Sequence, residues 1–427
     1  MNETRSDGEG GEISRKALRQ DLIKLLDEAG VEALLVVADA AQDVDLAPFV
    51  GEAHLRRSFL LAPRVGEPRL GFASPMEREE AAATGWALLT PEELGAPQLR
   101  LRHPRAADQL AGMLNQAFLL TGLRAGTVAL AGHAGGGEIY EACRQLEASG
   151  FAFVDGGELV RRLRKRKGAA DLTAARHSAA GAVAAFRRVA AVLAGSAPGA
   201  DGELNFASEL LTVARLRREI AAVLAGLGLS QPDGNIVAPG GEGAVPHNAG
   251  SDERVLRRGE SLIVDLYPKG ATLYADCTRT FCVGEPPPEL AQAHGAVLDA
   301  LRLAHREAKP GKSGHLVDDS VCELLEERGY ATLRTDPDAV EGYVHRLGHG
   351  VGLELHEYPA FAAGLGPAGA LELGDLITLE PGLYRPSRED SEGWGVRLED
   401  LVYLAAEGSE NLTPLPYDLD PRAWQTG

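Results

Sequence analysis

At 427 residues, with 44% hydrophobic and 25% charged side chains, the chain is long enough for two or three domains with sizeable cores and has the balance of a globular protein. A formal net charge of −19 argues against general affinity for nucleic acid or anionic lipid. No apolar run approaches the roughly 18 residues of a membrane span, and the four cysteines (Cys143, Cys277, Cys282, Cys322) form no CxxC pair, which fits reduced thiols in a cytoplasmic protein.

In chain order, residues 1–12 are polar and acidic, lack the basic-then-apolar order of a secretory signal and read as a disordered tail. Residues 13–160 alternate helix-like and strand-like pieces. Apolar spacing predicts a helix over 13–29, and the apolar runs 33–37, 58–61 and 127–131 suit buried strands. No cluster of ligand-type residues is visible there, which predicts a small α/β domain with a structural, gating or oligomer role. A basic run, Arg161 to Lys167, marks the join to a second domain over 161–427. It reads either as a nucleic-acid patch or as a solvated helix end, and the negative whole favours the helix end. Beyond it, helical patterns cover 169–193, 203–225, 289–308 and 316–328, with strand-like pieces between and after them. Helices on one side of a largely antiparallel sheet make an α+β domain.

The second domain repeats itself. Gly259-Glu260-Ser261-Leu262-Ile263-Val264-Asp265 aligns with Gly374-Asp375-Leu376-Ile377-Thr378-Leu379-Glu380, and each is followed by a second acidic strand, one from Asp276 and one from Glu399. Two half-domains of one build would bring their acids together at a pseudo-two-fold axis, although amphipathic strands after turns also look alike by chance.

The acids end apolar runs, where a lone carboxylate costs several kcal/mol or takes up a proton. Asp265, Asp276, Glu380 and Glu399 sum to −4, which two divalent ions balance. Arg397 and Glu399 are two apart on one strand face, so the guanidinium can orient that carboxylate; an ordinary surface ion pair is the alternative. His345 and His349 have the i, i+4 spacing of a helical zinc motif, but Arg346 stands where that motif needs Glu, and Gly348, Gly350 and Gly352 discourage a helix. A Gly-rich turn delivering His349 to a metal fits better. His356 follows seven residues later; Pro246-His247 is weaker on its own. One imidazole among four carboxylates suits Mn²⁺, with Co²⁺, Fe²⁺ or catalytic Zn²⁺ also open. Two such ions roughly 3.5–4 Å apart would share a water and bring its pKa toward neutrality, and neutral histidines nearby could donate hydrogen bonds or move protons.

Across about 160–415 the chain resembles the pita-bread-fold metallopeptidases: Xaa-Pro dipeptidase (prolidase), aminopeptidase P and, more distantly, methionine aminopeptidase. The matching motifs are Pro246-His247, Val264-Asp265, Asp276-Cys277-Thr278-Arg279-Thr280-Phe281, His345-Arg346-Leu347-Gly348-His349-Gly350-Val351-Gly352, Leu355-His356-Glu357, Glu380-Pro381-Gly382-Leu383-Tyr384 and Gly395-Val396-Arg397-Leu398-Glu399-Asp400. The resemblance implies a pita-bread (creatinase/aminopeptidase-like) domain of two duplicated halves behind a smaller α/β domain. It implies that Asp276 and Glu399 bridge two metals, that Asp265 holds one, and that His349 and Glu380 hold the other. Glu380 would also act as acid and base, His247 and His356 would contact substrate, His345 would shape the pocket, and Arg397 would support the carboxylates. The implied reaction is cleavage between an N-terminal residue and a following proline in small peptides, by a homodimer. Where the family usually has Asp-x-Gly, this chain has Asp265-Leu266-Tyr267, which bears on pocket shape. Methionine aminopeptidase or another dipeptidase specificity is the alternative within the class; a non-catalytic pita-bread scaffold is the alternative outside it.

Overall fold

Helix α1 (Asp7–Ala29) ends on Gly30, whose φ of +64° lets the chain turn back while Val31 N bonds to Leu26 O, and strand β1 (Ala33–Ala38) follows. The computed structural model describes residues 7–40, 43–406 and 408–426. Residues 1–6 of the expected tail lie outside the described residues, and α1 already runs from Asp7. The chain separates into two units, Met1–Arg164 and Lys165–Gly427.

In the first unit a six-stranded mixed sheet has the order β4-β3-β2-β1-β5-β6, formed by β1, β2 (Ser58–Pro63), β3 (Arg69–Phe72), β4 (Ala87–Leu89), β5 (Gly126–Ala131) and β6 (Phe151–Asp155). Alternation along β1 sets the layers. Leu34 and Val36 pack with Leu22 and Leu26 of α1. Leu35 and Val37 pack with Leu110, Leu114 and Phe118 of α2 (Ala106–Thr121) and Leu146 of α3 (Gly136–Glu147). The unit also assembles a grouping that sequence spacing did not reveal, Asp43, Asp45 and His133. Asp43 accepts from the amides of Asp45, Leu46 and His133, and Asp45 accepts from Gly132 N and Arg164. All four oxygens have donors, so these acids tie two loops together.

The basic run closes a helix, Gly157–Lys165, with Arg161 and Arg166 exposed, but it is only partly solvated. Arg164, Lys165 and Lys167 are buried, and each neutralises acids of its own unit: Arg164 pairs with Asp45 (3.2 Å), Lys165 with Glu372 (3.0 Å), and Lys167 with Glu357 (2.9 Å). The partners lie far away in sequence, out of reach of a local charge pattern.

The second unit opens with α4 (Ala169–Ala194). The helix predicted over 203–225 is shorter than expected: a hairpin, β7 (Leu204–Phe206) and β8 (Glu209–Leu210), precedes α5 (Val213–Gly226). Ala207 and Ser208 both take positive φ (52° and 67°), the turn geometry that closes a two-residue hairpin. Thr212 then caps α5 by accepting from Arg215 N. Both helices pack on an antiparallel sheet, β9 (Ile236–Pro239), β10 (Leu262–Leu266) and β11 (Cys277–Phe281). The second half repeats this build. Helices α6 (Pro288–Glu307) and α7 (Gly314–Glu327) cover a sheet containing β12 (His349–Gly350), β13 (Glu357–Ala360), β14 (Leu376–Leu379), β17 (Asp400–Ala405) and β18 (Gly408–Asn411); β15 (Gly382–Arg385) and β16 (Trp394–Arg397) form a separate hairpin. The matched glycines of the sequence repeat share one left-handed conformation, φ +86° at Gly259 and +91° at Gly374. Among the described residues no helix is long and apolar enough to cross a membrane, and the four cysteines are buried free thiols.

Candidate metal centre

Strand alternation decides which acids meet. In β10, Leu262, Val264 and Leu266 pack on the helices, so Asp265 takes the other face. Cys277 and Phe281 do the same in β11 and leave Asp276, Thr278 and Thr280 opposite. In the second half Ile377 and Leu379 face α6 and α7, as do Val396 and Leu398, which leaves Thr378, Glu380, Arg397 and Glu399 on the inner side. Bonds between the halves hold the two sets together. Glu399 N donates to Thr278 O (3.0 Å), Arg397 N donates to Thr280 Oγ1 (2.9 Å), and Thr280 Oγ1 donates to Arg397 O (2.9 Å).

The glycines around His349 are there for close approach. A Cβ on Gly348 would stand 2.2 Å from Thr378 O, and one on Gly350 would stand 2.0 Å from Tyr358 O. Thr378 Oγ1 accepts from His349 N (3.0 Å), and His349 Nδ1 bonds to Gly350 O (3.1 Å). With that proton on Nδ1, the Nε2 lone pair points at the acids, 3.4 Å from Glu380 and 3.7 Å from Asp276. One ligand atom each from Asp276, His349 and Glu399 lies within 4.8 Å of the others. Glu380 reaches this group through His349; Asp265 stands beside it, held by Arg397 Nη2 (2.7 Å).

That last bond extends the sequence reading, in which Arg397 orients Glu399: the guanidinium reaches Glu399 only indirectly and pairs directly with Asp265. The Thr278 hydroxyl comes between them: it donates to Glu399 Oε2 (2.8 Å) and accepts from Arg397 Nε (3.2 Å), and the free end of the guanidinium crosses to Asp265 in the other half. Arg397 also donates to Tyr384 OH (2.8 Å) and Pro246 O (3.3 Å). Tyr384 OH in turn lies 2.9 Å from His345 Nε2, and His345 Nδ1 bonds to Arg346 O (2.8 Å). The Pro246 bond carries the His247 loop to the site. His356 is exposed, its ring centroid 4.2 Å from that of His349. Sequence reasoning gave no role to Thr278, Thr378 and Tyr384; the alternation of Asp276-Cys277-Thr278 was the one local signal for the first.

The electrostatics are those of a site short of positive charge. Burial, then the charges of Glu399, Asp265 and Glu380, pushes Asp276 well above the carboxylate range. Burial, then Glu380 and Asp265, does the same to Glu399. Burial raises Glu380 to about 8, against the opposing pull of Arg397. Burial pushes His345 and His349 down to about 3, so both are neutral. Asp265 Oδ1 is buried and has no hydrogen-bond donor. An orphaned carboxylate oxygen, acids that ionise only against resistance, and a bare imidazole nitrogen among them all fit a hard divalent cation.

A family model, metallopeptidase family M24, matches residues 173–406, more than half of the chain. The chain belongs to metallopeptidase family M24. Among curated M24-like relatives, a probable dipeptidase PepE of Mycobacterium tuberculosis is 32% identical over 274 residues, 64% of this chain and 65% of that protein. A Xaa-Pro dipeptidase of Pyrococcus furiosus is 34% identical over 225 residues, 52% of this chain and 60% of that one. The match thus spans less than two thirds of those relatives. Solved structures align over nearly the whole length: a Xaa-Pro dipeptidase from Bacillus anthracis at TM-score 0.73 and 22% identity (95% of this chain, 99% of the other), and dipeptidase PepE from Mycobacterium ulcerans at 0.72 and 25% (96% and 98%). The fold is the M24 pita-bread fold of two duplicated halves, preceded by an α/β domain. M24 enzymes are metal-dependent, and Asp276, His349 and Glu399 form a grouping able to hold a metal.

Proposed function

We propose that this M24 protein is a dinuclear-metal exopeptidase that cuts between an N-terminal residue and a following proline. The supporting observation is the convergence of Asp276, His349 and Glu399, with Glu380 and Asp265 beside them, on the inner face where the two halves meet. In this reading Asp265, Asp276, His349, Glu380 and Glu399 would hold the two cations. Cations bound there, in first place Mn²⁺, supply Lewis acidity: they polarise a carbonyl oxygen and acidify water.

The chain's own groups do the rest. Glu380 takes a proton from the attacking water and returns one to the leaving amine. Arg397 holds Asp265 and, through Thr278, orients Glu399. Neutral His356, next to His349, donates to the oxygen that gains charge. His247 bounds the substrate on the opposite loop, and His345, fixed by Tyr384, keeps the pocket wall rigid.

The test is release of free proline from Xaa-Pro dipeptides, and of the first residue and Pro-Xaa from Xaa-Pro-Xaa tripeptides, by Mn²⁺-loaded protein, with Xaa-Leu dipeptides beside them because the PepE relatives are dipeptidases without a stated proline preference. Hydrolysis confined to proline substrates supports the proposal. Equal cleavage of Xaa-Leu makes the protein a general dipeptidase. No hydrolysis with any divalent metal favours a binding scaffold.

A further inference from the structure

We propose, building on that exopeptidase reading, that Asp233 selects peptides whose first residue carries a positively charged side chain. Asp233 lies in the loop between α5 and β9, three residues before Ile236, which is the cross-strand partner of Asp265. Three extended residues reach at most about 10 Å, a span that a lysyl or arginyl side chain can bridge.

Three site-bearing segments meet at this loop. The Tyr274 hydroxyl donates to the Asp233 carboxylate; Tyr274 stands two residues before Asp276, and its amide donates to Gly352 O (2.9 Å), three residues past His349. A bridge between Ser230 and Lys269 (both N–H···O bonds 2.9 Å) closes the loop onto the strand end that follows Asp265.

The charge at this rim is negative. Asp233 is exposed, and among the described residues no lysine or arginine forms an ion pair with it. Lys269 donates to Leu353 O (2.9 Å) and lies over the Tyr274 ring (4.5 Å), so it offsets one of two acids, Asp233 and Glu354, that bear on Tyr274. Between this rim and the metal-binding acids stands Tyr267, at the position where the family usually has glycine. Its half-buried phenol feels the charges of Asp265, Asp276 and Asp233, and among the described residues no hydrogen bond holds it. An aromatic ring beside an exposed carboxylate is a surface for the stem and head of a basic side chain.

The experiment compares Arg-Pro, Lys-Pro, norleucyl-Pro and Glu-Pro with Mn²⁺-loaded full-length protein, by kcat/KM for hydrolysis and by calorimetric affinity for the reduced-amide analogues, which cannot be cut. The expected result is a preference of about five-fold for Arg-Pro over norleucyl-Pro, the size of a partly exposed ion pair, with Glu-Pro the poorest. Asp233→Asn keeps an acceptor for Tyr274 and should bring that ratio near one through KM; Asp233→Glu should keep the preference. If the analogues show the preference but nothing is hydrolysed, the selection stands and the exopeptidase reading fails. A wild-type ratio near one, a preference that survives Asp233→Asn, or an equal loss for all four peptides in that variant overturns the proposal. The last outcome would assign the carboxylate to the α-ammonium group.

Discussion

Stripping the protein of divalent cations should make its stability fall as pH rises, and restoring them should abolish the fall. Asp276, Glu399 and Glu380 keep their protons above the ordinary carboxylate range, Glu380 up to about 8, because burial and the charges of neighbouring acids, Asp265 among them, penalise the ions. An unfolded glutamate releases its proton near 4.5. Between those values the folded state binds more protons than the unfolded one, so the slope of stability against pH is negative. The contribution is complete below about pH 4.5 and is lost as pH passes through about 8. Each proton so held contributes about 1.4 kcal/mol per pH unit. Relaxation and water entry reduce the full integral, which leaves a loss on the order of 3 kcal/mol from pH 5 to 8, or roughly 6–12 °C in Tm for a domain of this size. Scanning calorimetry of chelated and Mn²⁺-loaded protein at pH 5, 6, 7 and 8 measures it. The two Tm curves should diverge with pH, and cation binding at pH 7 should release protons in calorimetry run in two buffers. Parallel curves with no proton release would refute the account of the site.

The same reasoning makes Asp276→Asn more stable than the parent when both are metal-free at pH 8, since an amide needs no proton, while metal content and turnover collapse; melting and metal analysis read both effects. His356→Ala should lower turnover far more than metal content, and a variant that comes off the column without metal would make His356 a ligand instead. Thr278→Val removes the hydroxyl between Arg397 and Glu399 and should cost about 1–3 kcal/mol with weaker metal retention, which denaturant titration and metal analysis would show. Arg279→Met leaves Asp400 buried without its guanidinium (2.7 Å, both side chains 0% exposed) and should cost about 3–5 kcal/mol by denaturant titration.

Local pattern carried the ligands and failed for what binds them to one another. Asp265, Asp276, Glu380 and Glu399 sit at strand ends or beside strands, where a period of two sorts apolar from polar faces, so their shared face could be read from neighbours such as Val264 and Leu379. The repeated glycines before the two acidic strands were legible for the same reason and proved to share one backbone conformation. The partnership of Arg397 with Asp265 spans the two halves and left no local trace; only the weaker guess of Glu399, two residues away, was available. Burial of the basic run was hidden likewise, because Glu372, Asp375 and Glu357 lie some 190–210 residues downstream. The hairpin at Ala207 and Ser208 was missed because neither residue type announces a positive φ.

Arg397 also changes the charge arithmetic on which a two-cation site rests. Four carboxylates alone balance two dications, but the guanidinium at 2.7 Å from Asp265 already cancels one charge. The fully ionised site is therefore −3, and two divalent cations, as proposed, bring it to +1. That surplus leaves room for one anion from water or substrate, which is what a hydrolytic site needs at the moment of attack. A single cation would leave the site at −1, which a proton kept on one of the buried acids offsets, since burial favours the protonated form of Asp276, Glu380 and Glu399 alike. If that acid is Glu380, the proposed acid–base group, it is already protonated at half loading and cannot accept the proton of water. Activity should accordingly rise with the second equivalent of metal and not with the first, which titrating chelated protein with Mn²⁺ measures.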